Sequence, residues 1–302
     1  DLSTTGVTSI GSYASQNCSN LTSVGDIPDS VTSIGNNAFY GCSKLESVDL
    51  SNTQITSIGD NTFQNCRSVT SIDLPESLTS IGGSAFQGCS SLTSIDLPES
   101  LTSIGSNAFY GCSSLTSINV SEDNENYYSL EGVLYNKNMT ELIKYPEGKK
   151  DLTTYVIPDT VTSIENYAFY GCSSLTSIEI PDGVTSIGTC VFYNCSSLTS
   201  VGEIPSSVTS IGDSAFFNCS SLISIDLSNT GVTSIGSAAF RRCGSLTSID
   251  MPDSLTSIGD EAFLDCSSLT SVGELSDSVT SIGNYVFSGC SKLESVDLSN
   301  TQ

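Results

Sequence analysis

The chain has 302 residues and a formal net charge of −24, from 9 basic against 33 acidic side chains, with no histidine and no tryptophan. Such a surface repels DNA, RNA and anionic lipid, whose binding needs clustered Lys and Arg, so nucleic acid is excluded as a partner. Hydrophobic residues at 37% are too many for a disordered acidic chain, and no run of about 18 apolar residues is present to insert into a membrane.

The opening residues are already repeat sequence. Asp1-Leu-Ser-Thr-Thr-Gly-Val-Thr-Ser-Ile-Gly11 differs at one position from residues 226–236. We therefore expect no leader here and read the chain as a stretch of a longer protein. Cysteines then fall at 18, 42, 66, 89, 112, 172, 195, 219, 243, 266 and 290, spaced by 23 or 24 residues except across 112–172. A fixed period of this length marks a solenoid, because one coil cannot bury its own apolar side and must stack on neighbours. The expectation is a single solenoid over 1–302 with about eleven coils of 23–24 residues.

One coil reads cleanly from Leu92 to Cys112. Leu92, Ile95 and Leu97 match the L-x-x-L-x-L strand of leucine-rich repeats, with inward apolar side chains. Pro98 has no backbone donor, ends that strand and turns the chain. Leu101 and Ile104 begin a second short extended segment, and Gly105 lets the backbone turn. Ala108 and Phe109 pack inward on a short helical turn that closes at Cys112. The fold class predicted is a leucine-rich-repeat solenoid of short parallel β-strands with short helical turns. The first coil departs from the pattern with Ser15 where phenylalanine belongs.

Residues 120–157 break the period and concentrate what the rest lacks. They hold Lys137, Lys144, Lys149 and Lys150, with Tyr127, Tyr128, Tyr135, Tyr145 and Tyr155. Residues 133–145 read as two strands around an Asn-Lys-Asn-Met turn, a protruding β-hairpin. Aromatic side chains beside cations on an irregular loop suit a partner contact, and Tyr127, Tyr128, Tyr135, Lys137, Lys144, Tyr145, Lys149 and Lys150 are the candidates. The alternative is a structural insertion whose tyrosines pack on neighbouring coils. Beyond it the period resumes to the end, where residues 289–302 repeat 41–54 unchanged. An open last coil leads us to expect end-to-end self-association or more coils beyond it.

The unit L-x-x-I-x-L-P-x-x-L-x-x-I-G-x-x-A-F-x-x-C resembles the BspA-like, or Treponema pallidum-type, leucine-rich repeat. The resemblance rests on Ala38-Phe39…Cys42, Ala85-Phe86…Cys89, Ala168-Phe169…Cys172, Ala215-Phe216…Cys219 and Ala262-Phe263…Cys266. It implies an extracellular or cell-surface protein that adheres to protein or glycan partners through an extended surface. A self-assembling element of a coat or filament is the alternative.

No enzyme is expected. Histidine is missing, and with it the commonest general base. The acids recur equivalently and define no unique pair. Nor is a cofactor expected. One cysteine per coil in one register suits buried free thiols rather than zinc or disulfides; Cys190, outside that register, is expected at the surface. The acids form a column, Asp26, Asp49, Asp73, Asp96, Glu179, Glu203, Asp226, Asp250, Glu274 and Asp297, just before the strand-ending Leu or Ile (Met251 after Asp250). It reads either as a solvated face or as a surface for a basic partner or weak calcium. The Thr-Ser pairs make hydroxyl columns, read as exposed strand positions bonded along the stack.

Overall fold

Every coil has too few apolar residues to enclose a core of its own, so the chain returns on itself and buries each apolar row against the next. The computed structural model describes residues 6–296; Asp297 and the end of the last coil lie outside them. The chain divides by packing into two compact units, Asp1–Asn138 with Lys144–Lys149 and Met139–Ile143 with Lys150–Gln302. Each is a parallel β-solenoid.

In the first unit the L-x-x-I-x-L segments form one strand column, in which Ser47–Asp49 pairs with Ser71–Asp73 and Ser94–Leu97 with Ser117–Val120. The T-S-I segments form a second, parallel through Ser9–Ile10, Ser33–Ile34, Ser57–Ile58, Ser80–Ile81 and Ser103–Ile104. In the second unit, Ser224–Asp226 pairs with Ser248–Asp250 in an L-x-x-I-x-L column of its own. Ser210–Ile211, Ser234–Ile235, Ser257–Ile258 and Ser281–Ile282 form a T-S-I column of that unit. Identical registers stack identical side chains, so Leu92, Ile95, Leu97, Leu101, Phe109 and Cys112 are all buried, as expected. The prolines act as read: Pro98 ends a strand, and its carbonyl accepts the Leu101 N–H at 3.3 Å.

The segment expected as a short helical turn is not helical, and no helix forms among the described residues. Its peptides alternate. Ala38, Tyr40 and Cys42 donate to carbonyls three residues back (3.3, 3.2 and 3.1 Å), while Asn37, Phe39 and Gly41 donate to Asp60, Thr62 and Gln64 of the next coil (2.9, 2.9 and 2.7 Å). A helix would keep every N–H inside the segment. Here half of them are spent between coils, which requires left-handed residues at Asn37 (φ 58°) and Gly41 (φ 72°).

Gly105 also has a different role from the one expected. A Cβ there would lie 2.4 Å from Gly83 N and 2.6 Å from Gly82 C, so the glycine serves close approach between coils and not a turn.

Candidate binding face and the ladders behind it

The core is built of ladders. In the first unit Phe39, Phe63, Phe86 and Phe109 stack with centroids 5.4, 5.8 and 5.7 Å apart. In the second, Phe169, Phe192, Phe216, Phe240, Phe263 and Phe287 form a stack of their own at 5.1–5.6 Å. Beside them run the cysteines, all free. The thiols do more than fill space. Phe216 O accepts the N–H of Cys219 in its own coil at 3.1 Å and the S–H of Cys243 in the next, also at 3.1 Å. Phe39 with Cys42 and Cys66 repeats the arrangement. A buried carbonyl has two lone pairs, and the thiol satisfies the second. Burial pushes the thiols of Cys66, Cys112 and Cys243 up to about 12, so at neutral pH they stay protonated donors. Of the register cysteines Cys18 is exposed and the other ten are buried; Cys190 is half-buried.

These ladders hold the outward side chains in columns. Asp26, Asp49, Asp73, Asp96, Glu179, Glu203, Asp226, Asp250 and Glu274 are all exposed. Asp49 lies opposite Asp73, and Asp226 opposite Asp250. Where the column meets Asn119, its amide donates to Asp96 Oδ1 at 2.7 Å. Hydrogen bonds from Ser51 and Ser228 hold the carboxyls of Asp49 and Asp226 below the usual range. Beside the column are shallow grooves. One of about 500 Å³ in the first unit is lined by Asp73, Glu76, Asp96 and Asn119, and one of about 400 Å³ in the second by Asp159, Glu179 and Asp182. Among the described residues no three His, Cys, Asp or Glu side chains converge to hold a metal ion.

The threonine column is committed to the stack. Thr79 donates its N–H (2.8 Å) and its hydroxyl (2.9 Å) to Thr56 O, and Thr102 does the same to Thr79 O at 2.8 and 3.0 Å.

The irregular segment divides the candidates placed on it. Tyr128, Lys137 and Lys150 are exposed and Tyr127 is half-buried, but Tyr135, Lys144, Tyr145 and Lys149 are buried. The reason is visible in the first unit. Gly88 N–H donates to Tyr110 O of the next coil at 2.8 Å. Gly111 has no regular coil to donate to and bonds Glu147 Oε1 instead, at 2.8 Å. That buried carboxylate is balanced by Lys144, whose Nζ is 3.2 Å away. Asn124 is likewise buried, donating to Pro98 O and Leu101 O (2.8 and 3.0 Å) and accepting the N–H groups of Asn126 and Tyr127 (both 2.8 Å). Both residues replace the missing coil with side-chain atoms. The predicted strands form as Val133–Asn136 and Glu141–Lys144, but in the first unit Val133–Asn136 pairs antiparallel with the unforeseen Tyr127–Leu130. The two-residue turn between them, Glu131-Gly132, has both φ positive (51° and 81°), as a tight hairpin demands. Lys137 is exposed, yet its ammonium donates to the carbonyls of Glu122 and Asn124.

A second patch, in the second unit, was not anticipated. Tyr170, Tyr193 and Phe217 stack on the turn face at 5.2 and 4.5 Å, with the Arg241 and Arg242 guanidinium groups 5.7 and 5.8 Å from the Phe217 ring. Arg241 pairs with Glu261, and Arg242 with Asp265 at 3.9 Å, so the patch carries little free charge.

The family model of the BspA type leucine rich repeat region matches residues 6–140, 147–270 and 224–302. The chain belongs to the BspA-type leucine-rich-repeat family. A leucine-rich cell surface protein from Faecalibacterium prausnitzii A2-165 has a crystal structure that matches at TM-score 0.80 and 38% identity, covering 88% of this chain and 69% of that one. A leucine-rich repeat protein from Bacteroides ovatus ATCC 8483 matches at 0.65 and 32% identity over 95% and 69% of the two chains. The pneumococcal vaccine antigen PcpA matches at 0.62 and 25% over 91% and 73%. No curated protein matches the chain. BspA-type repeats are binding scaffolds, and no helix of the described residues is long and apolar enough to cross a membrane.

Proposed function

We propose that this BspA-type chain is a cell-surface protein that binds a protein or glycan partner along its exposed face, acting as an adhesion surface rather than a catalyst. The observation that carries the reading is the acidic column with its grooves. Nine carboxylates stand exposed at one repeat position, with Asp73 and Asp96 lining a groove of about 500 Å³. Opposed like charges cost a sheet stability, so keeping them at position after position suits a surface whose role is to meet positive charge. A basic protein segment fits it best, with a glycan bearing amino groups next, and weak calcium screening is compatible with the same carboxylates. Tyr127, Tyr128 and Lys137 extend the first unit's surface with a contact of different chemistry. The surface location is supported by the resemblance to the F. prausnitzii cell surface protein.

The test is binding of the purified chain to extracellular-matrix proteins and to a glycan array, at two salt concentrations, beside Asp73→Asn/Asp96→Asn. We expect binding that weakens with salt and in the double variant. Binding indifferent to both would remove the acidic face from the reading. No binding together with concentration-dependent polymers in sedimentation would replace it with a coat or filament element.

A further inference from the structure

Regular coils of the first unit keep apolar side chains off the outside of their strands and place Ser and Asp there, as in Ser71 and Asp73 or Ser94 and Asp96. The hairpin strand Tyr127–Leu130 departs from this rule. Tyr128 is 39% and Leu130 37% exposed, and two residues apart they share one side of the strand. Across the hairpin Tyr128 is opposite Tyr135 and Leu130 opposite Val133, both fully buried. Directly opposed residues lie on the same side, so one apolar layer starts in the core and comes out into water at Tyr128 and Leu130. The strand's other side is in use, because the Ser129 hydroxyl donates to Ile118 O at 2.6 Å. Among the described residues of the first unit, Tyr127–Leu130 pairs with a strand on one flank only, that of Val133–Asn136.

Charge narrows the occupant. Along the chain Glu122, Asp123 and Glu125 precede the apolar pair and Glu131 follows it, all exposed and none in an ion pair. Lys137 sets its ammonium on the carbonyls of Glu122 and Asn124, one positive charge against four carboxylates, so the surroundings stay negative. An exposed apolar patch rimmed by charge marks a contact surface, and a strand with an open flank takes an extended segment. We propose that the Tyr127–Leu130 strand is a docking site for an extended segment of a partner protein, with a short apolar centre flanked on both sides by Lys or Arg. The apolar centre covers Tyr128 and Leu130, while the cations meet Glu125 before the strand and Glu131 after it. The proposal rests on the adhesion reading for the basic character of the partner, and it places the contact on the hairpin instead of the acidic column.

The probes are two fluorescein-labelled peptides of equal charge, Lys-Lys-Leu-Val-Leu-Lys-Lys and Lys-Lys-Ser-Thr-Ser-Lys-Lys, titrated with the full chain and followed by anisotropy. We expect the first to bind about tenfold more tightly, the gain from covering two half-exposed apolar side chains. Tyr128→Thr/Leu130→Thr should erase that preference and keep the weaker, salt-sensitive binding of both peptides. Asp73→Asn/Asp96→Asn should keep the preference, and Glu125→Gln/Glu131→Gln should weaken both peptides alike. Circular dichroism and the urea midpoint establish that each variant folds. Equal binding of the two peptides by the parent overturns the proposal, as does a preference that survives in the Tyr128/Leu130 variant or is lost in the Asp73/Asp96 variant. Unchanged affinities in the Glu125/Glu131 variant overturn it too, by removing the cation contacts. Salt-sensitive binding without preference leaves the acidic-column reading standing, so the two readings fail separately.

Discussion

A cysteine at each turn of this core is a donor as much as an apolar filler. Phe63 O is shared between the Cys66 N–H (3.1 Å) and the Cys89 thiol (3.2 Å), and alanine could not supply the second bond. Thiol reagents should therefore separate the cysteines into groups: Cys18 labels rapidly, Cys190 slowly, and the ten buried thiols only on unfolding. Labelling of more than these two in the native state, counted by mass spectrometry, would show that the ladder opens. Glu147 is a second residue whose part is visible only in three dimensions. Glu147→Ala removes the acceptor of the Gly111 N–H and the carboxylate that balances buried Lys144, and should lower stability by about 3–5 kcal/mol. Glu147→Gln keeps an acceptor, so its urea midpoint should fall between those of the parent and the alanine variant. Equal midpoints for the two variants would mean that the carboxamide does not replace the acceptor.

At the scale of the element, the turn run explains residue choices that helix rules do not. Each run needs two left-handed positions, which asparagine and glycine fill easily: Asn37 and Gly41, Asn61 and Asn65, Asn107 and Gly111. In the second unit Ala238 (φ 53°) and Arg242 (φ 62°) occupy them, at a steric cost. Ala238→Gly relieves about 1–2 kcal/mol of that cost and loses part of it to the greater freedom of the unfolded chain, leaving a net gain of about 0.5–1 kcal/mol. A lowered melting temperature would show that the Ala238 methyl has packing worth more than the strain. The strand columns carry a cost of their own, in carboxylates that face one another. Asp73→Asn should stabilise by about 0.2–1 kcal/mol at low ionic strength by relieving its opposition to Asp49. The gain should vanish as salt screens the column; a gain that persists in 1 M salt, where the screening length is about 3 Å, would trace to packing instead of charge.

Over the whole molecule the thiol ladder sets an alkaline limit. An unfolded thiol ionises near pH ~8.5, whereas burial holds Cys66, Cys112 and Cys243 at about 12. Below the unfolded value their contribution is fully present. Between the two values only the unfolded chain releases the proton, so stability falls by about 1.4 kcal/mol per thiol per pH unit until the folded value is passed. Urea midpoints measured from pH 7 upward should decline from about pH 9; a flat profile through pH ~10.5 would show the thiols ionising in place.

How much of this could be read from the chain follows from what repeats. Period, strand positions, inward Leu, Ile, Phe and Cys, and the exposed acid column all stand in the sequence, because stacking identical coils turns a one-dimensional pattern directly into columns. The turn run is not legible as non-helical, since Ala-Phe-x-x-Cys spacing suits either and only the bonds to the next coil distinguish them. Gly105 looked like a turn residue, and the backbone 2.4 Å from its absent Cβ belongs to another coil. In the irregular segment no repeat fixes which side chain lies inside. Lys144, Lys149, Tyr135 and Tyr145 suit a contact surface or a packed insertion equally, and nothing in the pattern singles out Asn124 and Glu147. The burial of Asn124 and Glu147 was decided by the tertiary structure, because a neighbouring coil left open N–H and C=O groups that their side chains meet, and Lys144 follows as the partner of Glu147. The sequence determined the ladder, and the structure decided what closes it where it is interrupted.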